Sequence, residues 1–97
     1  MKVYLISYDL VAPGRDYTRL FEAIKGYGTW CHVLESTWLV STTQSAAQIR
    51  DHLRQFIDSN DRLFVARLSG ESAWHNLSDE RAEWLKKQLT AAAQVSR

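Results

Sequence analysis

The sequence predicts a small α+β domain. Short runs rich in β-branched and aromatic residues recur along the chain, in KVYLISYD, in TWCHVLESTWLVST, which reads as two strands, and in DRLFVARL. Three other stretches repeat their apolar residues at helical spacing. Of the 97 residues, 45% are apolar and four are tryptophan, a composition that folds rather than one that stays disordered.

The elements follow in order. The first strand spans about 2–9 and ends on a carboxylate, Asp9. Pro13-Gly14 marks a turn. From Asp16, the residues Tyr17, Leu20, Phe21 and Ile24 share a helical face, with Asp16 as N-cap and Gly26 or Gly28 as the stop. Two strands follow, about 30–35 and 37–42, folded near Glu35-Ser36; no Asn-Gly or Asp-Gly marks the break, so one long, bent strand is the alternative. A second helix carries Ile49, Leu53, Phe56 and Ile57, and Ser45 with Gln48 forms a capping box at its start. The last strand, about 61–68, turns Leu63, Val65 and Arg67 to one side. A third helix begins at the N-cap Ser78 and buries Ala82, Leu85 and Leu89. Asp79 and Glu80 early and Lys86 and Lys87 later suit its dipole.

The order β-α-β-β-α-β is that of the split βαβ, ferredoxin-like fold, here with an extra C-terminal helix. Residues 1–70 form that domain. Residues 71–97 form an extension that packs on the same domain or on a dimer partner. Two helices cover one face of such a sheet. Yet the strands are apolar on both faces: Val3 and Leu5 alternate with Tyr4 and Ile6. A second cover is therefore expected, either another copy of the chain or the SAWHNL tail.

The net charge of +1 creates no strong global field toward nucleic acid or membrane. No apolar stretch approaches the roughly 20 residues that span a bilayer. Met1-Lys2 leads straight into a strand, so no leader peptide is expected. Cys31 is alone, which rules out an intrachain disulfide and suits a reducing compartment. A cytoplasmic protein is the expectation.

Few residues carry a chemical signal. Asp9 is either a solvated strand end or a metal or catalytic carboxylate. Ser7 lies on the same side of the strand, most simply bonded to backbone. Arg15 and Arg19 are four apart and share a helix face if the helix starts early; guanidinium matches phosphate in a bidentate manner. Arg50 and Arg54 form a similar pair, with Asp51 or Asp58 as partners. His32, His52 and His75 lack metal-site spacing, and His32 reads as a hydrogen-bonded structural histidine. Trp30 and Trp38 read as packing residues; Trp74 and Trp84 fasten the tail.

The stretch MKVYLISYDL…DYTRLFEAIKGYGTWCHVLESTWLVST has a wider pattern. A strand ends in Tyr-Asp-Leu, a loop and helix lead to a Tyr-Gly turn, and a strand pair follows. Over about residues 1–68 this resembles the small CRISPR adaptation proteins, endoribonucleases that partner the CRISPR integrase, and their relatives, the VapD toxins and the SinR-like proteins. The SinR-like group looks nearest. The resemblance implies a ferredoxin-like homodimer in which Asp9 is the metal-binding and catalytic residue. Mg²⁺ or Mn²⁺ would be the cofactor and RNA or DNA the substrate, with Arg15 and Arg19 the nearest basic matches for nucleic acid. Two Asp9 side chains meeting at a two-fold axis would supply two carboxylates to such a cation. The loop LVAPGRDYTR and the tail depart from the CRISPR pattern, which weighs against an integrase-partner role. Two functions are thus expected: a metal-dependent endonuclease, or a non-catalytic dimeric module that binds a partner protein in a toxin-antitoxin or phage-defence setting.

Overall fold

The computed structural model describes residues 1–12 and 14–95. The chain forms β1 (Lys2–Asp9), α1 (Thr18–Lys25), β2 (Thr29–Leu34), β3 (Thr37–Thr42), α2 (Ala46–Leu53) running into a single 3₁₀ turn (Arg54–Phe56), β4 (Arg62–Arg67) and α3 (Asp79–Val95). The four strands form one antiparallel sheet in the order β2-β3-β1-β4. The architecture is α+β, as expected. Of the expected Pro13-Gly14 turn, Pro13 lies outside the described residues, and Gly14 adopts a φ of 74°.

Strand alternation divides the core in two. Tyr4, Ile6 and Tyr8 of β1 share a face with Trp38 and Val40, their neighbours on β3. Leu20 and Ile24 of α1 and Ile49 and Leu53 of α2 close over this face, and all four are fully buried. The hydroxyl of Tyr8 accepts a 2.9 Å hydrogen bond from Trp38 Nε1, so the buried indole keeps a partner. Burial holds the Tyr8 phenol above its ordinary pKa.

The odd residues of β1 point the other way. Val3 packs with Leu39 of β3 and with Leu85 and Leu89 of α3, and Trp84 and Leu77 lie at the rim of this second cluster. The second cover expected from the sequence is therefore α3 of the same chain. Leu77 is the one SAWHNL residue in the cluster, while Trp74 is exposed rather than fastening the tail.

Local signals explain most boundaries. Ser45 caps α2 through the full reciprocal box with Gln48. Gly28 ends the α1–β2 turn at a φ of 98°, a conformation that side chains disfavour. Asp16 corrects an expectation. It does not cap α1, which starts at Thr18 with Tyr17 before it and no side-chain cap. Instead the Asp16 carboxylate accepts hydrogen bonds from the backbone N–H and hydroxyl of Thr18, a local turn that competes with the helix.

Candidate functional site: an open corner of the sheet

The α3 cover is partial. It packs on β1, β2 and Leu39 of β3, while Arg62 and Phe64 of β4 stay exposed. Two cross-strand pairs mark the bare corner: Asp9 faces Arg62, and Ser7 faces Phe64. The next pair, Leu5 with Ala66, is partly buried, and Leu5 packs against the second cluster. Opposed residues of an antiparallel pair share a face, so Asp9, Arg62, Ser7 and Phe64 all stand on the uncovered surface. Phe64 is 64% exposed there. A shallow depression of about 300 Å³ runs between Asp9, Arg62 and Phe64.

Asp9 Oδ2 lies 4.0 Å from Arg62 Nη1, and both side chains are largely solvated. An ion pair of this kind contributes little to stability. Ser7 is engaged by the protein: its Oγ sits 3.0 Å from Thr37 Oγ1 and donates to the Ser36 carbonyl at 3.3 Å. Its expected bond to backbone is present. Among the described residues no group of three or more His, Cys, Asp or Glu side chains could hold a metal ion. The ion-pair partner of Asp9 is the cation of Arg62, and a hard cation such as Mg²⁺ or Mn²⁺ would need further oxygen donors beside Asp9.

The two arginines expected to act with Asp9 are not on one helix face. Arg15 precedes α1, in the β1–α1 loop, where its guanidinium lies 5.8 Å from the Tyr17 ring centre. Arg19 is exposed in the first turn of α1. Arg50 and Arg54 both pair with Asp51, at 2.9 and 3.3 Å, as solvated surface groups. His32 is the structural histidine expected, with Nε2 3.0 Å from the Glu35 carbonyl.

Asp61 has a role that no sequence signal announced. Its carboxylate accepts from Val11 N at 2.7 Å, Asp58 N at 2.8 Å and the Tyr17 hydroxyl at 2.7 Å. It ties the loop after Asp9 to the turn before Arg62, and so holds the open corner in shape. Partial burial pushes the carboxyl up, but the Val11 and Asp58 amides and the Tyr17 hydroxyl outweigh it and hold Asp61 below its ordinary pKa. A depressed carboxylate stabilises the fold above the unfolded value of about 3.9 and loses that contribution as pH falls through the folded value. Asp61→Ala should cost about 1–2 kcal/mol in urea unfolding at neutral pH. Asp61→Asn should also flatten the stability loss between about pH 4 and lower pH; an unchanged acid limb would show that these bonds do not hold the carboxylate charged.

Arg62 and Phe64 were also missed as site residues. Phe64 was legible in part, since Leu63, Val65 and Arg67 on one side leave Phe64 on the other. The pairing of Arg62 with Asp9 depends on strand register, which no local motif encodes. Compared with protein-family models, the chain matches none.

Proposed function

We propose that this chain is a ferredoxin-like protein of the broad type to which the small CRISPR adaptation, VapD and SinR-like proteins belong, acting as a homodimeric, non-catalytic module. The observation that carries the reading is Phe64, an aromatic ring 64% exposed on the bare part of a sheet face whose remainder is a packed core. A second copy fits this corner by charge. Asp9 and Arg62 lie side by side on neighbouring strands. A two-fold axis along the strands sets Asp9 over the partner's Arg62 and Ser7 over the partner's Phe64, so the surface is complementary to itself. The dimer would then present its outer helices to a partner protein. The lone buried thiol of Cys31 suits a cytoplasmic setting.

Charge exchange tests this arrangement. Asp9→Arg and Arg62→Asp alone should each weaken self-association about tenfold or more by sedimentation equilibrium, through like-charge contact. The double exchange should restore it. Unchanged association in both single variants would reject this interface.

A second reading, metal-dependent endonuclease, is favoured by the exposed position of Asp9 at its strand end. It needs a different dimer, with the partner's Asp9 facing Asp9 to supply a second carboxylate. Labelled single-stranded RNA and double-stranded DNA, incubated with Mg²⁺, Mn²⁺ or EDTA, test it beside Asp9→Asn. Metal-dependent cleavage that disappears in the variant would establish this reading over the first. Equal, inactive traces for both proteins would remove it.

A further inference from the structure

On the opposite edge of the sheet from Asp9, a cavity of about 440 Å³ opens between β2, the end of α1 and the start of α3. Its volume falls within the roughly 300–1,000 Å³ of small-molecule sites. We propose that it binds a mononucleotide. The argument stands on residues separate from Asp9, Arg62 and Phe64.

One wall is aromatic. Phe21, Trp38 and His32 form a three-ring stack: Phe21 and Trp38 are 6.1 Å apart and 22° from parallel, and Trp38 and His32 are 3.9 Å apart and 8° from parallel. Trp38 and His32 both line the cavity; Trp38 is buried, and His32 is the more open plate of the stack. Trp30 stands beside it with its ring 5.4 Å from that of Trp38, and it is 37% exposed although it lies on a strand of the folded sheet. Flat, partly exposed rings of this kind stack on any base, each contact being worth about 1–3 kcal/mol.

Two cations flank the wall from different elements. Lys25 Nζ, in the last turn of α1, lies 5.4 Å from the Trp30 ring centre. Arg81, in the first turns of α3, is fixed in place: Nε donates to the His32 carbonyl at 2.8 Å and Nη1 to Ser78 Oγ at 3.3 Å. Those bonds leave Nη2 for an anion, and a guanidinium held this way loses little freedom when it takes a phosphate. Trp84 lines the cavity from the α3 side of the sheet, and Glu80 is the one acid among the described lining residues, set against the two cations. Stacking plates with two cations beside them match a base carrying a phosphate better than they match an apolar ligand or a bare anion.

Titration with adenosine or guanosine monophosphate, followed through the four indole N–H signals in ¹H–¹⁵N spectra, tests the proposal. Saturable shifts of the Trp30 and Trp84 signals are expected, with the Trp74 signal unmoved. Lys25→Ala should weaken binding about tenfold, as loss of one charge-assisted contact does. Trp30→Leu should weaken it by a similar factor, and well-dispersed spectra would show that either variant is folded. Asp9→Asn should bind as the parent does, which separates this site from either reading of the sheet corner. No saturable shift up to millimolar nucleotide would overturn the proposal. So would equal affinity for inorganic phosphate, because the aromatic wall would then contribute nothing.

Discussion

Leu85→Asp is expected to cost at least about 3 kcal/mol, enough to unfold much of a domain this small under mild conditions. Leu85 is 4% exposed and sits in the cluster formed by Val3, Leu39 and Leu89. The substitution removes apolar contacts and sets an unpaired carboxylate against an apolar sheet face, two costs that add. The milder Leu85→Ala retains the first cost alone and should lose less. Urea unfolding followed by circular dichroism, with parent and variants at one protein concentration, measures both. A loss below about 1 kcal/mol for Leu85→Asp would mean that α3 peels away without disturbing the sheet. The second core would then not belong to the cooperative unit.

Phe64→Asp should leave the fold intact and abolish self-association, weakening it at least about a hundredfold. The ring is 64% exposed in the single chain, so its removal opens no cavity there. Between two copies it would be the central apolar anchor, and a charge in its place would be desolvated beside Asp9. The contrast between the two variants separates the roles of the two halves of this sheet face. In the proposed dimer, Leu85 acts within the chain and Phe64 between chains.

The layered fold was legible because alternation and helical spacing are local patterns. Tyr4, Ile6 and Tyr8 face one way and Val3 and Leu5 the other, and Ser45 with Gln48 marks the start of α2 by reciprocal capping. The need for a second cover was legible from the same alternation, but what supplies it was not. Whether α3 folds back on its own sheet depends on contacts between residues far apart in sequence, such as Val3 with Leu89 in one cluster. Asp16 misled because its carboxylate has two local uses, and it bonds Thr18 instead of capping the helix. The Arg15–Arg19 face needed a helix that starts before Asp16; α1 starts at Thr18, and Arg15 stays in the loop. The corner itself is a matter of register. Asp9, Arg62 and Phe64 come together because β1 and β4 pair in one alignment, which is fixed by burying Leu63 and Val65 on the opposite face.

Sedimentation velocity across a wide concentration range tests the central claim, that the bare corner of the sheet closes on a second copy. The parent should sediment at twice its chain mass of 11.2 kDa, and Phe64→Asp at 11.2 kDa with unchanged circular dichroism. A parent that remains at 11.2 kDa up to its solubility limit would contradict the account, as would a dimer that persists undiminished in Phe64→Asp.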